Sequence, residues 1–379
     1  MIKKNILIIG AGISGLSIAY HLGLENTQDV LVIDKGYFAS GATGRCGAGV
    51  RQQWATKQNC LLTQWSMKFF EKAHKVLDYE DLELKQEGYL IVATTDDEVT
   101  KFKKNVKLQN ELGIETRYLS VQEALDIVPH LNPDNFLGAT FNQSDGHLNP
   151  FKTSEAFYLA GKRLGVTYSF HEEVLSIQSV TEGFIVTTTK NKYLASKVIN
   201  AAGGYSKEVG QMVGIDLPIY SEKHEILATE PIERFQGPMV MSFNKNIYIQ
   251  QVPHGPFVMG RSEIGIKPSH DISSSRSFTR KMSQTVMDLL PKVGELRVVR
   301  TWAGSYNMSP DRQPIIGKTP VENYYVACGF SGHGFMLAPI VGKLMSEIIL
   351  EKETTMTVET LSLERFKNNQ EIIVEQFVV

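Results

Sequence analysis

Cysteine is scarce in this 379-residue chain: Cys46, Cys60 and Cys328 stand far apart, odd in number and without a CxxC pair. That scarcity argues against a disulfide framework and a zinc site, so no metal is expected and a reducing cytoplasm suits the chain. Long hydrophobic runs are also missing, since no stretch approaches the roughly twenty apolar residues of a membrane helix. Lys3 and Lys4 precede an apolar run in the manner of a signal peptide, but glycines interrupt that run and no small-residue cleavage site follows. Neither sign of charge is in excess. The formal net charge is -2, which implies neither nucleic acid nor an anionic membrane as partner. Repeats and low-complexity tracts are absent. A soluble, cytoplasmic protein of two or three domains around a large core is expected.

What is present is glycine in special places. Ile6 to Asp34 reads as strand, tight turn, helix and strand, with Gly10, Gly12 and Gly15 between the first strand and the helix. In such a unit Gly10 makes the turn, Gly12 lets the backbone approach a pyrophosphate, and Gly15 allows close packing of helix on strand. The helix-start amides then face phosphates. Asp34 ends the strand Val30 to Ile33, where a carboxylate accepts hydrogen bonds from a ribose hydroxyl, favouring FAD or NAD over NADP.

Lys35 to Arg51 follows as a loop with five glycines and two arginines, placed where a long dinucleotide continues. Apolar spacing predicts a helix over Asn59 to Val76, one or two strands over Leu84 to Thr94, and a charged helix over Asp96 to Leu112. Ser120 with Glu123 forms a capping box for a short helix to Val128. A turn at Asp145 to Pro150 leads into a helix over Lys152 to Leu164. Short strands then run to Ile199, and Asn200 to Gly204 is a second stretch of small residues suited to close backbone approach. Pro218 to about Thr301 reads as a separate, mostly stranded lobe with one helix near Phe278 to Leu290. Strand Tyr324 to Ala327 precedes a third glycine-rich loop, Cys328 to Phe335, and a helix from Met336 to Leu350 whose N-terminal dipole can face partial negative charge.

With IIGAGISGLSIAYHL, SGATGR, VINAAGGYS and CGFSGHGFMLAP in that order, the chain resembles the D-amino-acid-oxidase-like family of FAD oxidoreductases. GRCGAGVRQQW, RTWAGSYNMSPDRQPIIG and GFSGHGF look most like β subunits of heteromeric sarcosine oxidase and of dye-linked L-proline dehydrogenase. The resemblance implies an α/β fold, α+β overall, in which an antiparallel-sheet substrate domain (84–144 and 218–301) is inserted into a Rossmann-like FAD-binding domain (1–83, 145–217 and 302–379). By position Gly10, Gly12, Ser14 and Gly15 would hold the pyrophosphate, and Asp34 with Lys35 the adenosine ribose. Ser40, Gly41, Ala42, Thr43, Arg45, Cys46 and Gly47 would run along the flavin. Val174 would touch adenine, and Gly332, His333, Gly334, Phe335 and Met336 would line the flavin's pyrimidine edge. Ala202, Gly203, Gly304 and Gly329 complete the cofactor set.

Departures from monomeric sarcosine oxidases sharpen the expectation. Met336 replaces a lysine that contacts the substrate carboxylate, Trp302 to Tyr306 lacks their flavin-linking cysteine, and Val258 takes the place of a lysine implicated in reaction with oxygen. Noncovalent FAD and a dehydrogenase follow. Any FMN at a subunit interface would also be noncovalent, because the linking histidine near Asn149 or Pro150 is missing, although His147 lies close by. The implied reaction moves a hydride from the carbon beside nitrogen of an amino acid, L-proline or a similar N-alkyl one, to the flavin. A peroxide-forming oxidase and a flavin subunit dependent on a partner chain are the alternatives. His333 is the candidate active-site residue or else a loop histidine. Arg51 either neutralises a carboxylate or pins its loop, and His224 either faces substrate or is structural.

Overall fold

The computed structural model describes residues 1–262, 265, 267–367 and 373–376. Two eight-stranded sheets dominate it. In the first, the spatial order along the main path is Ile315–Lys318, Tyr324–Cys328, Lys192–Asn200, Ile2–Ile9, Val30–Ile33 and Thr167–Ser169. Its pairings from Tyr324–Cys328 to Thr167–Ser169 are parallel, and Ile315–Lys318 closes the edge antiparallel. Val30–Ile33 and Tyr324–Cys328 are buried along their whole lengths, as strands covered on both faces must be.

Helices Ile13–Leu24, Lys57–Phe70, Pro150–Arg163 and Gly334–Ile349 cover one face and share a single apolar core. Local rules place their starts. Asn149 caps Pro150–Arg163 by accepting from the amides of Phe151 and Lys152, with proline at the first helical position. The capping box at Ser120 and Glu123 forms as the sequence indicates. The helix expected over 59–76 is instead two, Lys57–Phe70 and Ala73–Val76. Thr56 caps the first by accepting from the Asn59 amide, and it ends where Glu71 and Lys72 are exposed, so no apolar face carries it further.

The second sheet runs Val298–Met308, Tyr220–Thr229, Phe257–Ser262, Ile247–Gln251, Met239–Ser242, Tyr89–Ala93, Gly138–Asn142 and Arg117–Leu119. It is antiparallel except where Met239–Ser242 lies parallel to Tyr89–Ala93. Strand alternation splits its side chains between two cores. Leu90, Val92, Val240, Ile247 and Ile249 meet helix Arg276–Leu289 on one face. Tyr89, Ile91, Met239, Met241 and Tyr248 gather on the other. Val298–Met308 pairs with Tyr220–Thr229 as far as Met308, so the second sheet continues past the domain boundary expected at 302. Among the described residues no helix is long and apolar enough to cross a membrane.

Candidate functional site: a dinucleotide groove and the chamber beside it

A groove of ≈ 610 Å³ crosses the ends of the parallel strands. At its floor the Gly10 amide donates to the Ile33 carbonyl at 2.8 Å and the Ala201 amide to the Ile9 carbonyl at 2.9 Å, which lays three strand ends side by side. Gly10 has φ +111°, and a Cβ there would sit 2.3 Å from the Ala201 oxygen, so no other residue fits without strain. Gly15 faces away from the groove. A Cβ on it would lie 2.0 Å from the Gly10 oxygen and 3.5 Å from the Ile8 side chain, so the close approach is to the turn as well as to the strand its spacing implied. Gly12 is the N-cap and offers no side-chain cap, leaving helix-start amides for a ligand, although the Ile13 amide is taken by Thr43 Oγ1 at 3.1 Å.

Asp34 is more occupied than its position at a strand end suggested. Its Oδ2 accepts from the Ala11 amide and its Oδ1 from the Gly36 amide, both at 2.7 Å. Each oxygen keeps a further lone pair for a hydroxyl, so the carboxylate both ties the two loops together and can receive a ribose. Lys35 lies with Nζ 3.1 Å from the Tyr205 ring centroid. Ser14, Ser40, Gly41, Ala42, Thr43 and Arg45 line the groove, as do Val174, Ala202, Gly203, Gly334 and Phe335. Gly304 and Gly329 line neither cavity. The first makes room for Arg45, whose Cβ would be 3.2 Å from an added Cβ, and the second turns the chain at φ +69° against Ile315 and Ser309. Glycine cradle, carboxylate with spare lone pairs and length of groove together fit an adenine dinucleotide carrying a flavin.

At the far end Cys46, Tyr306, Gly332 and Phe335 are shared with a second, small cavity of ≈ 70 Å³. Gly47, Arg51, His333 and Met336 line it. Gly332 has φ +90°, and its missing Cβ lets the Tyr306 ring lie against the loop. Arg51 is buried, its guanidinium 3.6 Å from the Trp54 ring centroid. Burial pulls its pKa below the ordinary arginine value, opposed by Tyr89, Glu375 and Asp145. Asp145 is buried too, and desolvation raises its carboxyl to about 7 against the hydrogen bonds it accepts from the Gln53 side chain and the Gln52 amide. The His333 ring lies 4.8 Å from that of Trp54. Its Nδ1 faces the Ser331 carbonyl at 3.3 Å, and its Nε2 has no protein partner. Donation from Nδ1–H leaves Nε2 as the acceptor. Burial first, then the Arg51 charge, lowers His333 to about 3, so the ring is neutral near pH 7.

Of the two readings of His224, facing substrate or structural, its surroundings favour the structural one. It lines neither cavity. It stacks on Tyr306 at 4.5 Å and Tyr248 at 5.8 Å, with Nδ1 2.7 Å from Ser262 Oγ, so its reach to the small cavity is through the tyrosines. His147 is likewise interior: its backbone pairs with Gly49 and Lys85, and burial lowers its imidazole to about 4.

Sequence reasoning missed the large side chains that complete the small cavity: Trp54, Tyr89, Met239, Met241, Tyr248 and Tyr306. The signal available was period-two alternation, since Tyr89 with Ile91, and Met239 with Met241, occupy same-face positions of their strands. Burial raises the phenol pKa of Tyr89, Tyr248 and Tyr306 above 10, so all three are hydrogen-bond donors at neutral pH.

The comparisons agree with this geometry. The chain is 27% identical to sarcosine oxidase subunit beta of Rhodobacter capsulatus over 376 residues, covering 97% of this chain and 90% of that one. It is 26% identical to mitochondrial dimethylglycine dehydrogenase of Rattus norvegicus, covering 96% of this chain and 45% of that protein. The crystal structure of L-proline dehydrogenase from P. horikoshii superposes with a TM-score of 0.91 at 34% identity, over 97% of this chain and 98% of that one. The sequence model of the FAD dependent oxidoreductases (DAO) matches residues 5–348, and with groove, glycine cradle and fold in accord, this chain belongs to that family of FAD-dependent enzymes.

Proposed function

We propose that this chain oxidises the C–N bond of a small amino acid, a secondary amine such as L-proline or sarcosine, as a dehydrogenase that holds FAD noncovalently. The small cavity beside the groove carries this reading. Its ≈ 70 Å³ holds on the order of five water-sized groups, the scale of a compact amino acid. Arg51 brings a buried positive charge, and the donors of Tyr89, Tyr248 and Tyr306 surround the same space, a set suited to a carboxylate. Met239, Met241 and Trp54 supply apolar wall for a short aliphatic body and keep water out. Neutral His333 accepts an N–H of the amine at Nε2 and orients it; with so low a pKa it does not hold the proton itself.

FAD bound in the groove would accept a hydride from the carbon beside nitrogen. Gly10, Gly12 and Asp34 hold its nucleotide end, and Cys46, Gly332 and Phe335 stand where groove and cavity meet. In this reading 84–144 and 218–301 form the substrate domain, whose sheet runs on along the strand to Met308, and the rest forms the FAD domain. The L-proline dehydrogenase and sarcosine oxidase relatives support the substrate class, and Val258 in place of an oxygen-linked lysine supports the dehydrogenase. The β-subunit relatives support a second subunit, the scarcity of cysteine supports a cytoplasmic setting, and noncovalent FMN at the interface is proposed from the sequence resemblance. The test is anaerobic mixing of the purified protein with L-proline, sarcosine, glycine and D-alanine while the visible flavin band is followed. Bleaching by a secondary amine with slow recovery in air is expected. Rapid recovery with peroxide would make the chain an oxidase, and flavin retained by acid-precipitated protein would overturn noncovalent binding.

A further inference from the structure

A segment near the end of the chain packs behind the small cavity, against residues that follow the lining Trp54. Glu375 is fully buried, and its Oε2 accepts from Thr56 Oγ1 at 2.8 Å and from Asn59 Nδ2 at 3.0 Å. Its Oε1 accepts from the Ala55 amide at 3.4 Å. These three donors lie within five residues after Trp54, whose ring contacts both Arg51 and His333. Trp54 is itself fixed by backbone and side chain: its Nε1 donates to the Arg51 carbonyl at 3.1 Å, and its carbonyl accepts from Gln109 Nε2 at 2.8 Å.

The same tail is also fastened to the turn at Asp311 to Gln313. The Glu375 amide donates to the Asp311 carbonyl at 3.0 Å, and Gln313 Nε2 donates to the Ile373 carbonyl at 3.0 Å. Asp311 is clamped by a two-pronged pair with Arg365, at 2.7 and 3.0 Å. Close by, the Ser309 amide donates to Ser331 Oγ at 3.1 Å, which connects this turn to the loop that bears His333. Glu375 thus joins two segments that are remote in sequence: its carboxylate holds 55–59 and its amide holds the turn at Asp311.

We propose that Glu375 is a positioning residue for the amino-acid chamber, holding the Arg51–Trp54 segment against the His333 loop and so setting the affinity for a carboxylate-bearing substrate. The inference rests on reading the small cavity as the substrate chamber. Burial of the carboxylate is tolerated because hydrogen-bond donors surround it, and its charge is among those that oppose the lowering of the Arg51 pKa by burial. A role confined to capping the helix Lys57–Phe70 would affect stability alone.

The test compares Glu375→Ala and Glu375→Gln in the flavin-loaded protein. Glu375→Ala is expected to raise KM for L-proline, and the dissociation constant of propionate read from the flavin spectrum, about tenfold, the equivalent of one charged hydrogen bond. The turnover number should stay within about twofold, and Glu375→Gln, which keeps one acceptor oxygen, should fall between. Hydrogen exchange across 51–60 should quicken in Glu375→Ala, a readout that needs no turnover. Lower melting temperature with unchanged KM, propionate affinity and exchange would overturn the proposal, as would a loss confined to turnover. Should Glu375→Ala fail to fold, Glu375→Gln alone decides by the same readouts. Quickened exchange in a protein whose flavin no amino acid bleaches would remove the substrate assignment and leave the positioning role standing.

Discussion

The groove and the chamber meet at Cys46 and Tyr306, yet they are built from different materials. The groove is a backbone structure: Gly10, Gly12, Gly203 and Gly332 open it by lacking side chains, and Asp34 ties two of its loops through main-chain amides. The chamber is a side-chain structure, made by an arginine, three tyrosines, a tryptophan, three methionines and a histidine that come from the second sheet, two loops and the start of helix Gly334–Ile349. A backbone cradle suits a cofactor common to many reactions. A wall of side chains can be exchanged one residue at a time, and that is where substrate choice can reside.

Breaking the groove should have the largest effect. Gly10→Val forces a branched side chain onto φ +111° and into the Ala201 carbonyl, with a conformational cost of about 3 kcal/mol before the clash is counted. The expected outcome is protein without a visible flavin band, checked by absorbance of the purified variant. Arg51→Met should instead leave the flavin band in place while KM for the amino acid rises roughly 100-fold, an effect of about 3 kcal/mol for removing one partner of a buried charge pair. Steady-state kinetics on flavin-normalised enzyme would check it. If both variants lose flavin together, the separation of cradle from chamber fails.

The smallest effect belongs to His224, which stands behind the chamber wall. Burial lowers its pKa to about 3 from an ordinary 6.5, so between those values the unfolded chain binds the proton and the folded chain does not. Its contribution to stability is therefore present above pH 6.5 and is lost as pH falls toward 3. His224→Asn should flatten the slope of unfolding free energy between pH 6 and 4 by about 1.4 kcal/mol per pH unit, measured by denaturant titration. Turnover should change only a few-fold, because the ring touches Tyr306 rather than the cavity.

Much of the fold could be read from residue order. The glycine-spaced turn, the fully apolar strands Val30–Ile33 and Tyr324–Cys328, and the capping box at Ser120 are local features, set by sterics and hydrogen bonds within a few residues. Where local signals ran on too far, packing decided: the apolar stripe from Asn59 to Val76 broke at Glu71 and Lys72, and the strand through Trp302 stayed in the second sheet to Met308.

The sequence by itself determined that this chain forms a dinucleotide groove, because a turn at positive φ beneath a helix start admits only glycine at fixed spacing. It also singled out Arg51 and His333, since each borders a glycine-rich loop. Only the tertiary structure decided which side chains close the chamber. Tyr89, Tyr248 and Tyr306 meet through strand pairing across the second sheet, His224 is set behind them by the same register, and Glu375 arrives from the far end of the chain. Such contacts depend on the register of distant strands and the docking of a terminal segment, neither of which leaves a periodic trace in the order of residues.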